Sequence, residues 1–255
     1  MSQTPQRKRL DTEQIQTHLK YLKLPFLAAH HEAMAAEAAR QNWTHTDYFA
    51  RLIEGEANMR SDRATQRRIR AARFPVIKTI DDFQWSWPKT INRLQIQHLF
   101  RMAFIREKAN VIFLGGVGLG KTHLATALGH AACLKGHRVL YTTAIDAINT
   151  LNAAQTAGRL KPELNRLLKP DLLILDELGY LPIDKSGADL LFQIFSHRYE
   201  QGSIVITSNR AYQDWAKIFN DDATLTSAIL DRLLHHAETI LIEGKSYRMK
   251  GRIEN

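Results

Sequence analysis

Val111-Ile112-Phe113-Leu114-Gly115-Gly116-Val117-Gly118-Leu119-Gly120-Lys121-Thr122 is the stretch on which the reading of the whole chain turns. Its first four residues are apolar and predict a buried strand, the glycines a tight loop, and the Ala- and Leu-rich run after Lys121 a helix. The spacing is glycine, any four residues, glycine, lysine, threonine, which is the pattern of a phosphate-binding loop. Glycines admit positive φ and let the backbone come within hydrogen-bonding distance of phosphate oxygens. The helix start adds unpaired N–H groups and the positive end of its dipole. Gly115, Gly116, Val117, Gly118, Leu119, Gly120, Lys121 and Thr122, with His123 after them, are the predicted nucleotide-binding residues. Lys121 is expected to set its ammonium on the β- and γ-phosphates of ATP, and the Thr122 hydroxyl to ligate Mg²⁺. A glycine-rich hairpin turn would explain neither Lys121-Thr122 nor the flanking elements.

Outward from the loop, strands and helices alternate. The helix from Lys121 is expected to stop before Gly136. It is followed by a strand at 139–143, helices at 146–158 and 164–169, a strand at 172–175 and a helix at 189–199. A strand at 204–207, helices at 212–219 and 223–235, and a strand at 239–242 complete the pattern. This predicts an α/β fold with a central parallel sheet flanked by helices.

The strand at 172–175, apolar on both faces, delivers Asp176-Glu177 to its C-terminal end, where ligands of parallel sheets gather. Asp176 is the candidate to hold Mg²⁺, directly or through water, and Glu177 to polarise an attacking water as general base. Such carboxylates also cap helices or pair with lysines; the upstream loop favours chemistry. The strand at 204–207 runs into Thr207-Ser208-Asn209-Arg210. Asn209 is open to two readings, a side chain that senses the γ-phosphate and a turn-forming residue that caps the next helix. Arg232 is either a finger offered to a neighbouring subunit's ATP or half of a surface ion pair.

Residues 11–73 contain no strand-like run, and Pro25 and Gly55 are their only breakers. Three helices are expected there: one ended by Pro25, one over 26–40, and one opening at Thr46 or Asp47. The third ends with Arg60, Arg63, Arg67 and Arg70 at spacings of three and four, hence on one face, with Arg68 and Arg73 beside them. Asp62 is the single acidic residue in that run, and the whole chain carries 35 Lys+Arg against 26 Asp+Glu, a net charge of +9. The arginines read as a ridge that tracks the phosphates of duplex DNA, or as a solvated face. Phe74-Pro75 then breaks the helix, and a linker carries Phe83, Trp85 and Trp87, aromatics that either stack on adenine or pack under the core. An amphipathic helix is expected over 90–107. The expected domains are an all-helical one at 1–74, for DNA or partner binding, and an ATPase domain at 75–255.

A single cysteine, Cys133, excludes an internal disulfide, and its setting among Ala131, Ala132 and Leu134 predicts burial. The eleven histidines include the adjacent pairs His30-His31 and His235-His236 but no zinc-site spacing, so no metal beyond Mg²⁺ with ATP is expected. The basic first ten residues lead into no apolar run, and no stretch approaches the roughly 20 apolar residues that span a bilayer. No membrane partner and a cytoplasmic location are therefore expected.

The loop at 115–122, the acidic strand at 172–177, Thr207-Ser208-Asn209 and Ile229-Leu230-Asp231-Arg232-Leu233-Leu234 together resemble the AAA+ ATPases, and within them the IstB/DnaC group. Asp176-Glu177-Leu178-Gly179-Tyr180 and the tail Gly244-Lys245-Ser246-Tyr247-Arg248-Met249-Lys250 are more similar to the IstB helpers of insertion-sequence transposition than to the DnaC helicase loaders. The resemblance extends over nearly the whole chain, helical N-terminal region included. It implies an ATPase that forms an ATP-dependent homo-oligomer on duplex DNA and recruits and stimulates a transposase. It assigns Lys121 and Thr122 to Walker A, Asp176 and Glu177 to Walker B, Asn209 to sensor 1 and Arg232 to the trans-acting finger. With so short a run after the last strand, no helical lid of the kind many AAA+ proteins carry is expected, and Arg248 is the candidate second sensor. Two alternatives stand beside this one: a helicase loader, and a small-molecule P-loop kinase that is monomeric and indifferent to DNA. A DNA binder without hydrolysis would have no use for Glu177.

Overall fold

The computed structural model describes residues 11–87 and 90–249. By its internal contacts the chain divides into a unit ending at Gln66 and a unit beginning at Arg67.

The first unit is helical. Helix α1 (Thr12–Tyr21) is capped by the Asp11 carboxylate, which accepts the Gln14 N–H at 2.7 Å. Helix α2 (Pro25–Gln41) opens on Pro25, whose fixed φ suits a first turn and whose missing N–H would be unpaired there anyway. Helix α3 (His45–Ala72) opens a residue or two earlier than expected because Thr44 and Asp47 cap it reciprocally. The Asp47 N–H donates to Thr44 Oγ1 at 3.1 Å, and that hydroxyl donates to Asp47 Oδ2 at 2.7 Å. The helix also passes through Gly55, which sequence reasoning counts as a breaker. A Cβ there would stand 2.1 Å from the Phe26 ring. Glycine is thus kept for packing, at a helix-propensity cost of about 1 kcal/mol. Buried Glu56 joins the same contact, accepting the Phe26 N–H at 2.9 Å and Arg60 Nε at 3.0 Å.

In the second unit, the amphipathic helix expected over 90–107 is two helices, α4 (Arg93–Leu99) and α5 (Ala103–Arg106). Between them Met102 takes a left-handed φ of 63°. Ile96, Leu99, Met102, Phe104 and Ile105 are all buried. On one straight helix they would spread around more than half of the circumference, so the break is what lets all five reach the core.

The rest alternates: β1 (Asn110–Gly115), α6 (Lys121–Leu134), β2 (Val139–Thr143), α7 (Ala144–Thr156), α8 (Leu160–Leu168), β3 (Leu172–Leu178), α9 (Lys185–Arg198) and β4 (Ser203–Ser208). A 3-10 helix at Tyr212–Lys217 replaces the longer helix expected there, and α10 (Ala223–Leu234) and β5 (Ala237–Ile242) follow. The five strands are parallel in the order β2-β3-β4-β1-β5. Ile112 and Leu114 pack into one core, Val111 and Phe113 into another, as the two-residue period of a strand requires. Leu114 pairs with Ser208 and Leu175 with Ile206. The ends of β1, β3 and β4 therefore share one edge of the sheet, and whatever follows them meets there.

A buried arginine and a buried cysteine complete the frame. Arg198, 2% exposed, donates to the carbonyl oxygens of Leu167, Leu168, Pro170, Asp171 and Ser203 at 2.7–3.3 Å, tying the end of α8 to β3 and β4. Burial pulls its pKa down to about 10, which leaves it charged at neutral pH. Cys133 is buried, and burial pushes its thiol up to about 11. Among the described residues no helix is long and apolar enough to cross a membrane.

Candidate nucleotide site

The loop between β1 and α6 curls through left-handed backbone at Gly118 (φ 75°) and Gly120 (φ 88°). Lys121, half-buried at the first position of α6, donates from Nζ to the carbonyl oxygens of Gly115 and Gly116 at 2.7 Å each. Burial lowers its pKa, Asp176 opposes that, and Arg248 adds to it. The ammonium thus sits beside acceptors that it can exchange for phosphate oxygens.

Asp176, 1% exposed, is held by hydroxyls. Oδ1 accepts from Thr122 Oγ1 at 3.0 Å and from the Thr207 hydroxyl, and Oδ2 accepts from the Tyr141 hydroxyl at 2.6 Å. Burial, and then this bond to Asp176, push the Tyr141 phenol well above its ordinary range. Thr122 and Asp176 together form a set of hard oxygen donors, the kind that Mg²⁺ takes.

The neighbouring carboxylate is placed differently. Leu175 faces Ile206 and Leu178 faces Ser208, so Asp176 and Glu177 both stand opposite Thr207, a β-bulge. Glu177 takes φ 61°, a left-handed backbone that costs a non-glycine residue roughly 1–2 kcal/mol. Its N–H donates to Thr207 Oγ1 at 2.9 Å. The bulge turns Glu177 out of the core, so that it is exposed in the wall of the cavity that Lys121 also lines. One hydroxyl, on Thr207, thereby bonds both the buried Asp176 carboxylate and the backbone N–H of Glu177. Sequence reasoning gave Thr207 no role.

The cavity has a volume of about 530 Å³. Asn209 is in its wall, and the buried Oδ1 has no hydrogen-bond partner among the described residues. The capping reading of Asn209 is not realised, since the following 3-10 helix starts from Ala211 without a side-chain cap. Leaving a buried amide oxygen unpaired costs about 1–3 kcal/mol, so the side chain is set to gain from a polar guest. The lysine, the hydroxyl-held carboxylate, the exposed base and the orphan amide together suit a magnesium-bound triphosphate.

The rest of the wall comes from the tail and from the linker before α4. The tail after β5 lies along the glycine loop: the Tyr247 N–H donates to the Gly118 carbonyl at 2.9 Å, and a Cβ on Gly118 would fall 2.1 Å from Ser246 Oγ. Trp87 Nε1 donates to the Lys245 carbonyl at 2.8 Å, and Thr90 Oγ1 to that of Glu243 at 2.5 Å. Arg248 lines the cavity; Lys250, the last residue of that tail motif, is outside the described residues. Of the aromatics before α4, Phe83 and Trp87 border the cavity, while Trp85 packs against Arg93, 4.9 Å from its guanidinium. His123 also borders it, with Nε2 2.9 Å from the Thr79 carbonyl and its ring edge-on to Phe83.

Arg232 is not brought to this cavity. Its Nη1 donates to the Ala228 carbonyl at 2.9 Å and the guanidinium lies 5.0 Å from the centre of the Phe192 ring. Of the arginine ridge, Arg60 is engaged with Glu56 and with the Lys23 carbonyl, at 3.0 and 2.6 Å. Asp62 is therefore not the only acid that offsets the run. Arg68 Nε donates to the Cys133 carbonyl at 3.0 Å, near the C-terminal end of α6. Arg63, Arg67, Arg70 and Arg73 are exposed.

The chain as a whole is similar to known proteins. A family model described as IstB-like ATP binding protein matches residues 17–255. The ATP-binding protein of insertion sequence IS21 from Pseudomonas aeruginosa is 40% identical over 237 residues, which cover 93% of this chain and 89% of that one. Its counterpart in IS5376 from Geobacillus stearothermophilus is 37% identical over 238 residues, 93% of this chain and 94% of that one. Among solved structures, the DnaC helicase loader is similar with a TM-score of 0.50 at 25% identity, over 58% of this chain and 86% of that one. AMPPCP-bound DnaA from Aquifex aeolicus gives a TM-score of 0.54 at 26% identity, over 69% of this chain and 53% of that one, about half of its length. Built on an AAA+ P-loop fold and matched along nearly all of its length, the chain belongs to the IstB-like ATP-binding protein family.

Proposed function

We propose that the chain hydrolyses ATP, assembles with ATP into a homo-oligomer on duplex DNA, and there recruits and stimulates a transposase. The observation that carries the hydrolytic reading is the 3.0 Å bond from Thr122 to Asp176, with Glu177 turned into the cavity beside them. In this reading Gly115 to Thr122 cradle the phosphates, and Lys121 binds the β- and γ-phosphates. Thr122 and Asp176 hold Mg²⁺, which neutralises charge on the phosphates when bound. Glu177 takes the proton of the attacking water, and Asn209 bonds the water or the γ-phosphate. The Thr207 hydroxyl ties the Asp176 carboxylate to the backbone that carries Glu177. Thr207→Val is expected to lower kcat about ten- to a hundredfold, with KM for ATP moved less than about twofold and Thr207→Ser close to wild type. A valine variant with wild-type kcat would show that the bulge needs no hydroxyl.

Support for the DNA and transposase part comes from the net charge of +9, the exposed Arg63, Arg67, Arg70 and Arg73, and relatives that are ATP-binding proteins of insertion sequences. We assign DNA or partner binding to the helices within 1–74 and catalysis to 75–255. The likeness to the DnaC helicase loader favours a second reading, loading of a helicase, but it covers 58% of the chain against 93% for the insertion-sequence relatives. Co-purification with a transposase or with a helicase separates the two.

The test is the ATPase rate with and without duplex DNA, alongside the mass in solution with ATP. Stimulation and ATP-dependent assembly are expected; a monomer indifferent to DNA would instead fit a small-molecule kinase. Changing Arg63, Arg67 and Arg70 to glutamine should flatten the salt dependence of DNA binding by about 2–3 in slope, and an unchanged slope returns those residues to a solvated face. Arg232 is proposed to act on a neighbouring subunit's ATP. Arg232→Ala subunits mixed with wild type should then depress activity more than in proportion to their share, and strict proportionality would refute the finger.

A further inference from the structure

Away from the nucleotide cavity, Glu200, His235 and His236 present one ligand atom each within 4.8 Å of one another. Sequence spacing shows no such cluster, because Glu200 joins the adjacent histidines only in the fold. We infer that these three residues form a binding site for a transition-metal divalent cation of the zinc type. The site is separate from the Mg²⁺ expected with ATP.

The distances suit shared coordination better than direct bonding. Glu200 Oε1 lies 3.6 Å from His236 Nε2 and 4.0 Å from His235 Nδ1. Both are too long for hydrogen bonds. Bonds of about 2.0–2.1 Å around a tetrahedral zinc imply roughly 3.3 Å between ligand atoms, so side-chain rotations of less than about 1 Å would close the site. All three residues are exposed and have the freedom to rotate. Ion pairing of Glu200 with both histidines at once would require both imidazoles to be charged while their rings are 4.1 Å apart, for exposed pairs that contribute little. A metal uses the neutral rings instead. The Tyr199 hydroxyl, 2.8 Å from His235 Nδ1, shares the nitrogen that faces Glu200, so a metal bound through Nδ1 displaces that hydrogen bond.

The backbone under each ligand is fixed. Glu200, at φ 56°, is inside a turn closed by the N–H groups of Gln201 and Gly202 on the Arg198 carbonyl, at 2.9 and 3.0 Å. The guanidinium of Arg198 is the buried one that anchors α8 to the sheet. His235 caps α10 through its N–H to the Asp231 carbonyl at 3.2 Å, and the His236 carbonyl accepts the Asn110 N–H at 2.7 Å where β5 begins. Ligands on the ends of rigid elements need little ordering to bind. Two imidazoles and a carboxylate select Zn²⁺, Co²⁺ or Ni²⁺ over Mg²⁺, and leave a fourth position to water. An ion there would staple the end of α9 to the junction of α10 and β5, three residues beyond Arg232.

The experiment is titration of the full, metal-stripped chain with Zn²⁺ and with Co²⁺, in the absence of nucleotide. One ion per chain is expected, with the visible absorption of four-coordinate Co²⁺ and a Tm raised by about 3–6 °C at zinc tenfold above Kd. Mg²⁺ at the same concentration should give no such shift. Glu200→Gln and the pair His235→Gln/His236→Gln should each abolish the absorption and the Tm shift. His30→Gln/His31→Gln, which removes two histidines elsewhere, should keep both. No stoichiometric binding in the wild type, binding unaltered by the first two variants, or binding lost in the control would each overturn the site.

Discussion

Lys121→Ala is expected to weaken ATP binding about a hundredfold or more while the melting temperature stays near that of the wild type. The lysine is the first residue of α6, and its ammonium is half-buried against the loop it belongs to, bonded to the Gly115 and Gly116 carbonyls. Phosphate oxygens arriving in that cavity meet a cation whose hydration has already been reduced, so the exchange of carbonyl for phosphate contacts is fought less by water. Alanine removes the charge and exposes two carbonyl oxygens toward the incoming anion. Arg248 remains in the cavity wall but reaches it from the tail after β5. Arginine at 121 is a poor replacement, because a planar fork does not fill the place of a compact ammonium. Equilibrium titration with an ATP analogue reads the effect. Wild-type affinity in a variant that melts normally would remove the loop from the nucleotide account altogether.

How far this molecule can be read from its sequence depends on how local each determinant is. The β1-loop-α6 unit is written in consecutive residues, and β2 falls at the expected 139–143 because a short β-prone run ends at Gly136 on one side and at the Thr143 cap on the other. The acidic pair after β3 is equally plain. The bulge that separates the two carboxylates is not, because it exists only in the register between β3 and β4, and Thr207 gains its place from a strand some thirty residues away. The same holds for the tail on Gly118 and for Trp87, whose partner Lys245 is 158 residues distant. Met102 shows the opposite failure. Local rules continue a helix through it, and packing breaks the helix there. The arginine ridge was legible as charge, but Glu56, the Lys23 carbonyl and the Cys133 carbonyl, which occupy Arg60 and Arg68, belong to folded neighbours.

Glu177→Gln is expected to lower kcat for ATP hydrolysis about 10²- to 10⁴-fold while ATP affinity is kept, so that ATP-bound assemblies persist on DNA. The substitution preserves shape, and it preserves what the bulge demands of the backbone. Glutamine at φ 61° bears the same strain as glutamate, and the N–H that donates to Thr207 is unchanged. Asp176 keeps its bonds from Thr122, Thr207 and Tyr141, so the expected Mg²⁺ ligands are undisturbed. What is lost is a carboxylate able to accept a proton from water in the cavity. A drop in kcat without a rise in KM therefore isolates base function from binding, which a change at Lys121 cannot do. Single-turnover hydrolysis and sedimentation with duplex DNA read the two halves of the effect separately. Normal hydrolysis in this variant would show that water is activated elsewhere, and the strained backbone at Glu177 would then need another reason.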